Sequence, residues 1–200
     1  MTSRRGRPAS GESVADGRTR LLDACWQILL EGRTATVATV CGEAGCTPPT
    51  LYHHFGDVVG LHRAACQRAF AQWSQELEHR IGESADPAER VRRRGRAYVE
   101  WGVAHPAAYR VLFIDARGPG TGDRPGSGFT QLLEDLAELR ATTMEDPALL
   151  VEAFAHWSAV HGLTCLALDR PELPASLRAA TLTRLMDALE FGGHLDQASA

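Results

Sequence analysis

The sequence predicts an all-α protein of nine helices. Apolar residues recur at steps of three and four along most of the chain, the spacing that places them on one face of a helix. Thr, Asp and Pro residues that favour helix starts, and Gly residues that favour helix ends, separate these periodic segments. Hydrophobic residues make up 44% of the 200 residues, which is enough for a sizeable core in a globular chain.

The first three predicted helices follow one another closely. An amphipathic helix over residues 16–31 ends at Gly32, where a helix-terminating glycine is favoured. A short second helix, capped by Thr36, extends to Glu43, and the Ala44-Gly45 pair provides a tight turn. The order of long helix, short helix and turn before another short helix is typical of a helix-turn-helix unit.

The third helix lies in the segment TPPTLYHHF, residues 47–55. We expect the Thr47 hydroxyl to cap it and the two prolines after it to start it, because the first helical N–H groups have no partner within the helix. Its periodicity exposes Thr50, Tyr52, His53 and His54 and turns Leu51 and Phe55 towards a core. This third helix of the chain would be the second helix of the helix-turn-helix unit, the one that lies in the major groove of DNA.

The rest of the chain contains the other predicted helices. The fourth covers residues 57–82, and the fifth begins at Pro87 and must break at His105-Pro106. The seventh, eighth and ninth are expected over residues 129–142, 147–168 and 174–191, after a long Gly- and Pro-rich loop at 115–128. The arginine-rich run at 90–96 is interpreted as a solvated helix face balanced by nearby glutamates, the alternative being a second DNA-binding surface.

Charge is unevenly distributed. The net charge is −4, yet residues 1–65 contain seven arginines against six acidic residues, so the first third of the chain repels phosphate least. Residues 1–16 are expected to form a flexible basic arm in which Arg4, Arg5 and Arg7 could follow a minor groove. A terminus that is only solvated is the equal alternative.

Residues 17–64 resemble the DNA-binding domain of the TetR family of bacterial regulators. The resemblance is carried by Gly32, the apolar pair Val40-Cys41, the Ala44-Gly45 turn and the hexapeptide TLYHHF. It implies a repressor that binds a palindromic operator in double-stranded DNA as a homodimer and responds to a small-molecule effector. The family commonly has a lysine at the start of the fourth helix, whereas this chain has Val58.

The resemblance also implies roles for individual residues. Pro49 would pack on a thymine methyl group or a sugar, Thr50 and Tyr52 would bind phosphates, and His53 and His54 would lie at the groove edge or backbone. The start of the second helix would direct N–H groups at another phosphate. The expected DNA-binding residues are Arg4, Arg5, Arg7, Thr36, Val37, Thr47, Pro49, Thr50, Tyr52, His53 and His54.

Residues 65–200 are expected to form a regulatory and dimerisation domain. The segments AHPAAYRVLF and WSAVHGLTCLALDRP, with Trp157, His161 and Gly162, resemble the WHG-type C-terminal domain found in part of the family. The last two helices suit a four-helix dimer interface, although their apolar stripes could instead pack within one chain. The candidate effector-binding residues are Trp101, His105, Tyr109, Phe113, Phe154, Trp157 and His161. Aromatic residues at helical spacing are more often core residues than ligand contacts, and this is the alternative for each of them.

Other classes of protein find little support in the sequence. The chain has no apolar run of 18 residues and no signal-type N-terminus, so we expect a cytoplasmic protein without a membrane segment. Five cysteines without a CxxC pair favour reduced thiols over disulfides or zinc, and no metal or cofactor is expected. Two alternatives remain: a redox-responsive regulator using Cys41 and Cys46, and an enzyme, for which no nucleophile and base have suitable spacing.

Overall fold

The computed structural model describes residues 14–84, 86–115 and 127–192. The all-α prediction is confirmed: these residues form nine α-helices and one π-helical turn, without strands. Arg4, Arg5, Arg7 and most of the predicted 115–128 loop lie outside the described residues. The helices are α1 Val14–Leu30, α2 Val37–Ala44, α3 Pro48–Phe55, α4 Val58–Ile81, α5 Pro87–Ala104, α6 Pro106–Tyr109, α7 Ser127–Arg140, α8 Pro147–Asp169 and α9 Ala175–Gly192; the π-helical turn, Arg110–Ile114, follows α6.

The chain divides into two compact units, Met1–Cys66 and Gln67–Ala200. In the first unit, α1 packs against both α2 and α3. Leu21, Cys25 and Ile28 on α1 and Leu51 on α3 are fully buried. Because α3 has only eight residues, it depends on this packing for its stability.

The start and end of α2 follow from local hydrogen bonds. The Thr36 hydroxyl accepts the N–H of Thr39 at 3.2 Å, and the Thr39 hydroxyl accepts the N–H of Thr36 at 2.9 Å, which forms a reciprocal capping box. Gly45 ends the helix with φ of 60°, a left-handed conformation that glycine adopts without steric cost. This turn leads directly into α3.

The expected cap on α3 is wrong in one respect. Thr47 is the N-cap residue by its backbone, but its hydroxyl makes no capping bond. Pro48 and Pro49 have no N–H to donate, and the N–H of Thr50 already donates to the Thr47 carbonyl at 2.9 Å. The Thr47 hydroxyl instead lies 3.0 Å from the Thr50 hydroxyl.

The second unit is organised around α5, which packs against α7, α8 and α9. The side chains of α7 and α8 form a buried apolar cluster that includes Leu136, Leu149 and Ala153. By length and composition alone, α8 could cross a membrane, but a core helix meets the same criteria. It buries residues along its length, including His156 and Thr164.

The arginine-rich run on α5 is not simply a solvated face. Arg94 is buried, and it binds Asp135 of α7 at 2.8 Å and Glu78 of α4. Arg90 donates to Asp135 at 2.6 Å and also binds Glu138. Helical periodicity points these two arginines inward, where carboxylates compensate for their burial.

Candidate nucleic-acid interface and effector region

The outward face of α3 is the candidate nucleic-acid interface. Thr47, Pro49 and His53 are exposed, and Thr50 and His54 are half-buried. Tyr52 is 50% exposed although it is a large aromatic residue. Proline, hydroxyl, phenol and imidazole groups therefore lie side by side on one short helix, where they can contact sugars, phosphates or base edges.

The start of α2 also faces solvent. Thr36 is exposed, but its N–H is already used in the capping box. The N–H groups free to bind an anion in the first turn are therefore those of Val37 and Ala38, for which no hydrogen bond is found among the described residues. Of the two residues predicted for this contact, Val37 therefore has its N–H available to an anion, whereas the N–H of Thr36 is already bonded.

Four side chains form a continuous row beside the end of α3. The ring centroids of His53 and His54 are 5.1 Å apart, and those of His54 and Phe55 are 6.0 Å apart. The guanidinium carbon of Arg18, on α1, lies 5.4 Å from the centroid of the Phe55 ring. Sequence reasoning did not single out Arg18, because a helix periodicity does not reveal which aromatic ring an exposed arginine covers.

The α3–α4 junction is compact. Gly56 has φ of 77°, and the Asp57 carboxylate accepts the N–H of Gly60 at 2.6 Å. A Cβ atom at Gly60 would overlap the backbone oxygen of Phe55, so this position requires glycine. Val58 is half-buried at the start of α4, which leaves residues 56–60 without a basic side chain.

The two cysteines of the redox alternative differ in environment. Cys41 is buried, and burial raises the pKa of its thiol, with a further increase from the nearby Cys46. Cys46 is half-buried, with its sulfur 3.7 Å from an Arg20 nitrogen and 3.8 Å from the Gly17 carbonyl. A protonated, buried thiol is a poor nucleophile, so this environment gives no support to a redox role.

The seven candidate effector residues lie in one network of ring contacts. Trp101 stacks on His105 at 5.0 Å, and Tyr109 lies 5.0 Å from Phe113 and 5.6 Å from His161. Trp157 continues the network from His161 to the exposed Phe154. Four further aromatic residues that the sequence reasoning did not select complete it: Phe70, Trp73, Tyr98 and Phe129.

Inside this network is a small hydrogen-bonded group. The Tyr109 hydroxyl lies 2.6 Å from Nδ1 of His161, and the Tyr98 hydroxyl lies 3.2 Å from both. Burial raises the pKa of both phenols and lowers the pKa of His161. At neutral pH both phenols are therefore protonated, and a neutral imidazole can accept a hydrogen bond through Nδ1.

A separate groove runs between α5 and α9. Its volume is about 540 Å³, and its apolar wall includes Val99, Val103, Leu182 and Met186. Arg92, Arg96 and Arg178 supply positive charge to its lining, with Glu100 and Asp187 as the acidic residues. None of the seven candidate effector residues lines this groove.

The last two helices each present apolar residues to solvent. On α8 these are Leu150, Val151, Phe154 and Leu166, with Val151 72% exposed. Among the side chains of α9 that the structure describes, Leu177 is an exposed large apolar residue. Leu182 and Met186, which line the groove, lie about 140° and 180° around α9 from Leu177 at 3.6 residues per turn, so they face away from it.

The C-terminal half of the chain decides the family. Residues 91–189 match the family described as tetracyclin repressor-like, C-terminal domain. The chain belongs to the TetR family of transcriptional regulators. The matched region includes Trp157, His161 and Gly162, on which the sequence resemblance rested.

Solved structures of transcriptional regulators share the fold. A regulator from Streptomyces coelicolor superimposes with a TM-score of 0.67 at 20% identity, covering 94% of this chain and 87% of that chain. The fatty acid degradation regulator FadR from Bacillus halodurans gives 0.66 at 15%, and FadR from Bacillus subtilis, in complex with stearoyl-CoA, gives 0.65 at 12%. Both alignments cover 87% of this chain and 98% of the other. No curated protein matches the chain.

Proposed function

We propose that this TetR-family chain is a dimeric, sequence-specific repressor that a small molecule releases from a palindromic operator. The observation that carries the proposal is the arrangement of α2, the Gly45 turn and α3, with α3 exposing Tyr52, His53 and Pro49 while Leu51 anchors it. Such a unit places its second helix in the major groove. The proposal implies binding without catalysis and a cytoplasmic location, where the operator is accessible.

The phosphate and base contacts are assigned from exposure and chemistry. Thr47, Thr50 and Tyr52 offer hydroxyl groups to phosphates, Pro49 packs on a thymine methyl group or sugar, and His53 and His54 contact the groove edge. The N–H groups at Val37 and Ala38 bind another phosphate. With few bidentate donors on α3, sequence preference depends partly on DNA shape.

The N-terminal arginines extend this interface. Gly17, near the start of α1, lies beside Thr50, since a Cβ atom placed on Gly17 would be 3.6 Å from the Thr50 methyl group. The start of α1 therefore lies next to α3. Arg7 precedes Val14 by seven residues and Arg4 by ten, and an extended chain of that length can span roughly 25 to 35 Å. This reach supports a minor-groove contact by Arg4, Arg5 and Arg7 next to the proposed major-groove site of α3.

Dimerisation is assigned to α8 and α9. Exposed apolar side chains on both helices would be buried by a second copy related by two-fold symmetry, which forms a four-helix interface. Such a dimer places two α3 helices about 34 to 36 Å apart, the spacing of successive major grooves. A palindromic operator is the DNA that matches this symmetry.

For the effector we propose an amphipathic anion. The groove between α5 and α9 combines an apolar wall with three arginines, and its volume suits a small organic molecule. The stearoyl-CoA in the Bacillus subtilis FadR complex is a molecule of this class. The seven aromatic and histidine residues stay candidates for contact with the effector if the packed ring network opens to admit it.

Selection of bound fragments from the source genome tests the DNA-binding proposal. A fragment set enriched in one palindromic sequence is expected for the wild-type protein. The matched control is the Tyr52→Ala, His53→Ala variant, which changes only exposed side chains of α3. Equal fragment recovery by both proteins would reject α3 as the reading helix.

Sedimentation analysis tests the dimer. Val151→Arg adds a charge to the exposed face of α8 and is expected to yield monomers. Ile114→Arg makes the same change at an exposed apolar residue outside α8 and α9, and it should stay dimeric. A dimeric Val151→Arg protein would show that this face is not the interface.

Stearoyl-CoA serves as the probe for the effector site. We expect stearoyl-CoA to release the operator from the wild-type protein. Release from the Leu182→Trp protein, in which the larger side chain fills the groove, should require much higher stearoyl-CoA concentrations. His105→Ala alters the exposed edge of the ring network instead. If only the His105→Ala protein needed a higher stearoyl-CoA concentration for release, the effector site would be the ring network and not the groove.

A further inference from the structure

The observation behind this inference is the exposed Arg18 on α1. Its guanidinium lies over the Phe55 ring at 5.4 Å, which is within the range of a cation–π interaction. Among the described residues it has no carboxylate partner. Arg33, by contrast, is paired with both Glu31 and Glu43.

The position of Arg18 relates it to the candidate DNA interface within the same unit. Phe55 is the last residue of α3, and its ring contacts His54, which contacts His53. The neighbouring Gly17 lies beside Thr50 at the other end of α3. The start of α1 therefore packs beside α3, and Arg18 ends a row of side chains that begins on the exposed face of α3.

The junction that follows Phe55 contains no basic side chain. The junction between α3 and α4, residues 56–60, has the sequence GDVVG, whose charged residue is Asp57. A phosphate approaching this end of α3 would meet a carboxylate and two valines unless a neighbouring helix supplied positive charge. Arg18 is the residue that α1 places there.

We propose that Arg18 binds a DNA phosphate beside the C-terminal end of α3 and that Phe55 holds its guanidinium in place. Stacking on an aromatic face leaves the N–H groups on the guanidinium edge free, and these form the fork that binds two phosphate oxygens. Because Phe55 restricts the side chain before DNA arrives, less conformational entropy is lost on binding. The proposal rests on the proposed docking of α3 in the major groove.

Salt dependence of DNA binding provides the test. Fluorescence anisotropy with the selected operator and with unrelated DNA is measured over a series of salt concentrations. For Arg18→Gln we expect the slope of log K against log salt to become shallower by about 0.9, because one phosphate contact is lost. Affinity at low salt should fall on the order of tenfold for both DNAs, since a phosphate contact reads no sequence.

Two further variants keep the test decisive. Arg18→Lys retains the charge, so its slope should stay at the wild-type value even where its affinity is lower. Arg170→Gln removes one exposed positive charge from the second unit and should leave the slope unchanged. Thermal melts confirm that each variant is folded, as expected for substitutions of exposed side chains.

The outcomes separate the two proposals. If the wild-type protein bound the operator and Arg18→Gln kept its slope, the Arg18 contact would be wrong while the proposed function stood. A loss of slope in Arg18→Lys as large as in Arg18→Gln would also overturn the contact, because charge would not explain it. If the wild-type protein bound no DNA, both proposals would fall.

Discussion

Replacement of Asp135 by asparagine tests whether the buried ion network holds the second unit together. The Asp135 side chain is only 8% exposed. It accepts hydrogen bonds from Arg90 at 2.6 Å and from two nitrogens of Arg94 at 2.8 and 3.2 Å. Asparagine keeps the size of the side chain but removes its charge, so Arg94, 7% exposed, would lose one of its two carboxylate partners.

The expected loss of unfolding free energy is large. Removal of one partner from a buried ion pair costs about 3 to 5 kcal/mol, because the other charge is left buried. Glu78 still binds Arg94 after the substitution, which favours the lower end, about 3 kcal/mol. A domain of this size has an unfolding free energy of roughly 5 to 15 kcal/mol, so the variant should melt roughly 10 °C lower.

Glu138→Gln is the matched control. Glu138 is also on α7 and also binds Arg90, but its side chain is 59% exposed, and solvent screening limits such a pair to about 0 to 1 kcal/mol. Urea unfolding followed by tryptophan fluorescence reports mainly on the second unit, which contains Trp73, Trp101 and Trp157. Equal losses of unfolding free energy in the two variants would show that burial of the ion network does not determine its contribution to stability.

Three other predictions concern the site. Tyr52→Phe should weaken binding to all DNA sequences by about 1 to 2 kcal/mol in gel-shift titrations, because one phosphate hydrogen bond is lost. Gly60→Ala should lower the unfolding free energy by roughly 1 to 3 kcal/mol in urea, since the added Cβ overlaps the Phe55 carbonyl oxygen. Because burial lowers the pKa of His161, stability should be fully present above about pH 6.5 and be lost as pH falls through the lower folded-state pKa. Melting temperatures of His161→Gln should show less of this acid loss.

Each of these predictions has a result that contradicts it. Full affinity of Tyr52→Phe would remove its hydroxyl from the interface. Wild-type stability of Gly60→Ala would mean that the α3–α4 junction can move to admit the Cβ atom without loss of unfolding free energy. Gly42→Ala, where a Cβ atom meets open space, is the control. An unchanged difference in melting temperature between neutral and acidic pH in His161→Gln would assign the acid loss to other groups.

The helices could be predicted well because their signals are local. Apolar periodicity, the Thr36 cap and the Gly45 turn each act within a few residues, so α2 and α3 lie where the sequence placed them to within one or two residues. The Thr47 hydroxyl shows the limit of such reasoning. Its preference for capping is overridden because Pro48 and Pro49 have no N–H to donate and the N–H of Thr50 already donates to the Thr47 carbonyl.

Contacts between distant segments were harder to predict. Arg90 and Arg94 pair with Asp135 across more than 40 residues of sequence, and nothing in the charge pattern of α5 alone identifies that partner. The same holds for Arg18 over Phe55, which are brought together by the packing of α1 on α3. Helical spacing shows which face a residue occupies, and only the fold shows what lies opposite that face.

The position of α5 explains how an effector in the groove could act on the whole second unit. On this helix, Arg90 and Arg94 bind Asp135 of α7. Tyr98 belongs to the ring network, and Val99 lines the groove. Almost every side of α5 is packed against other helices. A ligand that separates α5 from α9 therefore cannot be accommodated by a movement of α5 alone. In the proposed dimer the opposite side of α9 faces the second copy, so such a ligand would displace the helix that we propose sets the spacing of the two subunits. If the ligand binds one dimer spacing more tightly than the other, this difference in binding free energy favours the spacing that does not fit the operator.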